Sequence, residues 1–172
     1  MSGAKPSSAE HRAGTPASVG VYVLTVSDTR TEATDSGGGA IRELLTAAGH
    51  TVAGYRILPD EPAQVRALVE LALSNPDVQV AITTGGTGVT SRDSTYEAVA
   101  ALLEKRLDGF GELFRALSYQ EIGAAAMLSR AVAGTVGRKA VFALPGSEHA
   151  VRLAMTKLIL PELGHLAQQL GK

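Results

Sequence analysis

The chain has 172 residues, 45% of them hydrophobic, which suits one ordinary domain with a substantial core. A formal charge of −1 argues against a generic nucleic-acid binder, which carries a basic excess or stripe, and the absence of Cys removes disulfides, thiolate metal sites and cysteine nucleophiles together. No apolar stretch reaches the roughly 18 residues that span a bilayer, so the expectation is a soluble cytoplasmic protein, with neither nucleic acid nor membrane among its partners.

From Met1 to Ser18 the residues are small and polar, so 1–18 is expected to be a disordered tail and 19–172 a single domain. Val19 to Val26 reads as a first buried strand, ending in the polar loop Ser27-Asp28-Thr29-Arg30. Ile41, Leu44, Leu45 and Ala48 mark a helix face stopped by Gly49. Thr51 to Leu58 reads as a second strand, and Pro59-Asp60-Glu61-Pro62 as a turn with Asp60 as N-cap. Val65, Leu68, Val69 and Ala72 then line the next helix. Val78 to Ile82 is short, apolar and β-branched, as in a strand covered on both faces. This βαβαβ order predicts a parallel sheet with helices on both faces.

The third strand leads into Thr83-Thr84-Gly85-Gly86-Thr87-Gly88, with Arg92-Asp93 beyond it. Three glycines in four positions let backbone N–H groups converge on phosphate oxygens. Neither the dinucleotide fingerprint nor the P-loop pattern is present, and a tight strand-to-helix turn is the plain alternative. Asp93 cannot bind phosphate, but it can hold a cation that does. Asp93 or Ser94 also suits the N-cap of a helix through Tyr96, Val99, Leu102 and Leu103.

Leu107 to Glu112 reads as a break, followed by a helical stripe of Leu113, Phe114, Leu117 and Ile122. Gly123 to Leu128 is Ala-rich, suited to close packing in the core or between subunits. Ala131–Val136 and Lys139–Leu144 are strand-like runs joined by Gly137-Arg138, as a hairpin or a mixed-sheet edge. Pro145-Gly146-Ser147 then repeats the pattern of strand, glycine turn and helix, the helix carrying Val151, Ala154, Met155, Leu158 and Ile159. A last helix with Leu163, Leu166 and Leu170 follows Pro161, which is expected to interrupt the axis.

Two glycine turns at strand ends would form adjacent lips of one crevice. Asp28, Asp35, Asp60 and Asp93 fall on the same expected side of the sheet, where one or two carboxylates with phosphates could hold Mg²⁺; turn and cap chemistry is the alternative for each. Two roles stand open for Arg92 and for Arg130: neutralising phosphate charge, or pairing with a carboxylate. His11, His50, His149 and His165 have no metal-like spacing.

The chain resembles the molybdenum cofactor biosynthesis MoaB/Mog family, the molybdopterin adenylyltransferase-like proteins, over almost everything after the tail. The resemblance rests on Leu24-Thr25-Val26-Ser27-Asp28-Thr29, Asp35-Ser36-Gly37, Pro59-Asp60-Glu61, Thr84-Gly85-Gly86-Thr87-Gly88 and Thr90-Ser91-Arg92-Asp93-Ser94-Thr95-Tyr96-Glu97-Ala98. Gly109-Phe110-Gly111-Glu112, Leu128 to Gly134 and Leu144-Pro145-Gly146-Ser147 continue it in order.

That resemblance implies a three-layer α/β/α fold with a mostly parallel central sheet, assembled as a trimer or hexamer. It implies binding of molybdopterin as substrate and transfer of AMP from MgATP to its terminal phosphate, the product passing to a molybdenum insertase. Carried over by motif, Asp93 is the essential carboxylate, Asp60 the second on the Mg²⁺ or nucleotide side, and Arg92 a catalytic companion. Gly85, Gly86, Thr87 and Gly88 would hold phosphate through backbone amides, with Thr84 and Ser94 beside them. Ser27, Asp28, Asp35, Ser36, Gly37, Pro145, Gly146 and Ser147 would line the pterin crevice. Ser91 and Tyr96 replace two prolines of the familiar adenylyltransferase pattern, and Pro145-Gly146-Ser147-Glu148 lies nearer the MoaB branch. A non-catalytic molybdopterin carrier or assembly protein is therefore the second implied function, and a generic nucleotide-binding module the third.

Overall fold

The computed structural model describes residues 14–172. Most of the expected tail, residues 1–13, lies outside the described residues. The chain runs β1 (Gly20–Val26), α1 (Ser36–Ala47), β2 (Thr51–Leu58), α2 (Pro62–Ser74), β3 (Val80–Thr84), α3 (Thr95–Ala100), β4 (Lys105–Arg106) and α4 (Asp108–Ile122). A 3₁₀ segment (Gly123–Leu128), β5 (Val132–Val136), β6 (Lys139–Leu144), α5 (Glu148–Ala154), a π segment (Met155–Ile159) and α6 (Leu160–Gly171) complete it.

The six strands form one sheet in the order β2-β1-β3-β6-β5-β4. β2, β1, β3 and β6 are parallel, whereas β5 runs antiparallel to β6 and β4 antiparallel to β5. Every residue of β3 is buried, as expected of a strand covered on both faces. One face packs Val21, Val23, Ile41, Leu45, Ile82, Phe114, Leu144, Met155 and Leu163 beneath α1, α4, α5 and α6. The other packs Leu24, Val65, Val69, Ala81, Val99 and Val141 beneath α2 and α3. The fold is thus the expected three-layer α/β/α arrangement with a mostly parallel sheet.

Several local expectations change. The helix expected through Leu102 and Leu103 ends at Ala100, because those two residues turn back into the edge strand β4. The break expected at 107–112 is instead the first turn of α4, which starts at Asp108. Asp60 does not cap α2: Glu61 holds that position without a side-chain capping bond, and Pro62 opens the helix with its fixed φ. Pro161 lies in the first turn of α6, and the interruption it causes is the π segment immediately before it. Gly137-Arg138 makes the two-residue hairpin turn, with Gly137 at φ 57° where a type II′ turn requires it.

The start of α1 is set by Asp35, which is 4% exposed. Its Oδ1 accepts from Gly38 N at 2.9 Å, while Oδ2 accepts from Thr25 Oγ1 at 2.6 Å and the Tyr55 hydroxyl at 2.5 Å. Burial pushes the carboxyl up, but these donors outweigh it and hold it below the usual carboxylate range. Burial and the Asp35 contact push Tyr55 up to about 12, so it remains a donor. Asp35→Ala strands the buried Thr25 hydroxyl and the partly buried Tyr55 hydroxyl and uncaps α1, and is expected to cost roughly 2–4 kcal/mol by urea denaturation at neutral pH. Because the folded pKa is depressed, this contribution is complete above about pH 4 and fades as pH falls through the folded value, so wild type and variant should converge in acid.

Candidate functional site

The carboxyl ends of β1, β2, β3 and β6 lie along one edge of the sheet, and the chain turns to opposite sides from β1 and β3, the usual ligand position in such folds. Gly85 and Gly86 follow β3 with φ of 99° and 67°, a region in which L side chains are strained. Gly85 N donates to Leu144 O at 3.0 Å, and a methyl on Gly85 would collide with the Val26 carbonyl. A methyl on Gly146 would stand 3.3 Å from Gly85 Cα, and one on Gly37 would stand 3.2 Å from Gly146 O. Thr84 Oγ1 donates to Pro145 O at 2.8 Å. The two glycine turns and the α1 N-terminus therefore meet backbone to backbone, and the expected lips of one crevice are adjacent.

The acidic residues divide by what holds them. Asp60, 7% exposed, accepts from Ser94 Oγ at 2.5 Å and from Ser94 N at 3.3 Å, so it caps the start of α3 from a different loop. Ser94 holds the N-cap position of α3 but spends its hydroxyl on Asp60. Asp93 Oδ2 accepts from Thr90 Oγ1 at 2.7 Å and Thr90 N at 2.9 Å, bonds that hold its carboxyl below the usual range and keep it ionised at neutral pH. Asp60 and Asp93 flank the same loop: a methyl on Gly86 would strike Asp60, and one on Gly88 would strike Asp93. Asp35 lies beneath the α1 N-terminus with both oxygens engaged, so its part in the crevice is to shape the wall that Ser36 and Gly37 present.

Both open roles for the arginines have geometric answers. Arg92 is bidentate to Asp28, Nε to Oδ2 at 3.0 Å and Nη2 to Oδ1 at 2.9 Å, and Nη1 reaches Glu61 at 3.1 Å. It clasps the loops after β1, β2 and β3, and it holds the Asp28 carboxyl below its usual range. Arg130, just before β5, donates Nε to Gly88 O at 2.9 Å and Thr87 O at 3.3 Å, and Nη2 to Asp93 O at 3.3 Å. It also pairs with Glu97 and lies 4.9 Å from the Tyr96 ring centroid. Arg130 is therefore the brace of the glycine loop. Ser27 Oγ accepts from Arg30 N at 3.0 Å and closes its own turn, and Ser147 caps α5 through Ala150 N.

Residues 22–165 match the family described as "Probable molybdopterin binding domain". The chain belongs to this molybdopterin-binding domain family. A "Molybdenum cofactor biosynthesis protein B" of Bacillus anthracis is 54% identical over 164 residues, 95% of this chain and 97% of the relative. A crystal structure of a protein of that name, 55% identical, superposes with a TM-score of 0.88 over 90% of this chain and 96% of the other. The tungsten cofactor synthesizing protein MoaB of Pyrococcus furiosus is 38% identical, with a TM-score of 0.81 over 91% of this chain and 99% of its own. The chain is thus a MoaB-type member of the family, in molybdenum cofactor biosynthesis.

For this molybdopterin-binding domain, sequence reasoning missed the residues that hold the site residues: Thr90, Glu61, Tyr55 and Thr95. Thr95 is fully buried against Gly86, and its Oγ1 has no hydrogen-bond partner among the described residues. Thr90 lies three residues before Asp93 in the same loop and Thr95 beside Ser94, so their places in the motif were the available signal, whereas Glu61 and Tyr55 reach their partners from separate segments. Arg130→Ala removes charged donors from three loop carbonyls and is expected to cost about 2 kcal/mol and to speed amide exchange across 86–93. Arg92→Ala breaks only exposed pairs and should cost less than about 1 kcal/mol, read in the same denaturation and exchange measurements.

Proposed function

We propose that this protein is a molybdopterin adenylyltransferase, joining AMP from MgATP to the terminal phosphate of molybdopterin and releasing pyrophosphate. The observation that carries this reading is the convergence of the Gly85–Gly88 loop, the Gly146 turn and the α1 N-terminus, with Asp60 and Asp93 flanking the loop. Backbone amides of Gly86, Thr87 and Gly88 hold phosphate, supported by Thr84 and Ser94, while Gly85, whose amide is spent on Leu144 O, sets the turn. Ser27, Asp28, Ser36, Gly37, Pro145, Gly146 and Ser147 form the pterin side, and Asp35 fixes its wall.

The residues present suit a magnesium ion: Asp60 and Asp93 supply carboxylates, and the buried, unpartnered Thr95 Oγ1 adds an orphaned oxygen next to Asp60. Bound there, the ion would neutralise phosphate charge. In the transfer step an oxygen of the pterin phosphate attacks the α-phosphorus of ATP, and the bond to pyrophosphate breaks. No protein nucleophile is needed, so the protein contributes positioning and electrostatics. Arg92 would exchange its exposed carboxylate partners for developing phosphate charge.

The second reading, a non-catalytic molybdopterin carrier, is favoured by the Asp28 and Glu61 clasp, which already occupies Arg92. Incubation with molybdopterin and MgATP separates the two. The enzyme is expected to yield adenylylated molybdopterin and pyrophosphate, with Asp93→Asn reducing turnover roughly 100-fold or more while still binding the pterin. Tight pterin binding without product from wild type establishes the carrier instead.

Assembly as a trimer or hexamer, in the cytoplasm and delivering product to a molybdenum insertase, completes the proposal. The assembly part is supported by Leu113, Tyr119, Ile122, Met127 and Leu128, large apolar residues left exposed on α4 and the 3₁₀ segment. Among the described residues no helix is long and apolar enough to cross a membrane. Light scattering is expected to give a multiple of the 17.7 kDa chain mass, and Ile122→Asp to shift it toward one chain.

A further inference from the structure

Beside the glycine loop, on the far side of Arg130, lies a second cavity of about 310 Å³, lined by Tyr96, Arg106, Arg115, Met127, Ser129 and Arg130. β4 ends and β5 begins at the same edge of the sheet as the crevice, because β5 runs against its parallel neighbours. Three guanidinium groups in one cavity repel one another unless something negative joins them. Arg130 has Glu97 and Arg106 has Asp108, neither of which lines the cavity. Arg115 has no carboxylate among the described residues: Nη1 donates to Ala131 O at 3.3 Å, and its guanidinium lies over Gly111, where a Cβ would stand 2.8 Å from Nη2.

A second observation is independent of these charges. Ser129 Oγ is buried and has no hydrogen-bond partner among the described residues. The Tyr96 ring lies between Arg130 at 4.9 Å and Arg106 at 6.0 Å, and its hydroxyl accepts from Arg106 Nη2 at 3.3 Å. These contacts set the orientation of two planar forks. The polar side chains of the lining are cations and hydroxyls, which is the chemistry of a phosphate site.

We propose that this cavity binds a diphosphate group, with Arg115 and Ser129 as its principal donors. Arg130 is shared with the glycine loop through Thr87 O and Gly88 O, so the two sites have a common wall. Its link to the reaction rests on the adenylyl-transfer reading. The diphosphate is either free pyrophosphate or the terminal pair of phosphates of a nucleoside triphosphate.

Calorimetric titration of the full chain with inorganic pyrophosphate tests the site without any turnover. Wild type is expected to bind it, and Arg115→Ala and Ser129→Ala each to weaken binding at least tenfold, with Arg115→Lys intermediate because it keeps charge but loses the fork. Circular dichroism and thermal melts identify any variant that has lost its fold. Absence of pyrophosphate binding in wild type, or equal affinity in folded Arg115→Ala, overturns the proposal. Titration with an ATP analogue carrying a methylene between its α- and β-phosphorus atoms separates the sources. Weakening of that analogue by Arg115→Ala assigns the cavity to the nucleotide tail, and weakening of pyrophosphate alone assigns it to the free ion. Pyrophosphate binding with no adenylyl transfer leaves the site standing and removes the transferase reading.

Discussion

Backbone touches backbone where β1, β3 and β6 release their loops, and that contact sets everything around it. A Cβ at Gly85 has no space against the Val26 carbonyl, one at Gly146 would stand 3.3 Å from Gly85 Cα, and one at Gly37 would stand 3.2 Å from Gly146 O. The parallel register creates the requirement, since Thr84 lies level with both Thr25 and Leu144. Strands aligned so closely deliver their loops to one point. Glycine is what lets those loops remain there in such close contact.

Around that contact the charges are arranged by how deeply each is held. Asp35 and Asp60 are buried and answered by hydroxyls and amides, so they shape the backbone as much as they carry charge. Asp93 is half-buried and held ionised by Thr90, the state a cation ligand needs. Arg130 and Arg92 carry the same group but are opposites in consequence. Arg130 grips main-chain carbonyls, contacts that cannot be exchanged without moving the loop. Arg92 grips exposed carboxylates, contacts that a phosphate can replace at small cost.

Much of the fold was legible because its signals are local. Buried strands such as Val80–Thr84 are short apolar runs, and glycine turns mark where they end. The two glycine lips and Asp60 and Asp93 beside the loop were legible for the same reason. What could not be read depends on pairing between distant segments. β4 is two residues long and exists because Lys105 and Arg106 find Thr135 and Gly134. Asp60 follows the pattern of a cap for α2, yet its partner is Ser94, 34 positions on. Tyr55 sits in an ordinary strand pattern, and only the neighbouring position of β1 and α1 gives its hydroxyl to Asp35. The diphosphate cavity is assembled from α3, β4, α4 and the approach to β5, so no single stretch of sequence carries its outline.

The hairpin between β5 and β6 turns at the edge of the sheet away from the glycine loops. There Arg138 donates to Leu170 O at 3.3 Å and to Gly171 O at 2.7 Å, placing positive charge on the carbonyl end of α6. The last helix is thereby pinned to the far side of the molecule. A label or surface tether joined after Lys172 would point away from the crevice, leaving the ligand edge open to solution on an immobilised protein.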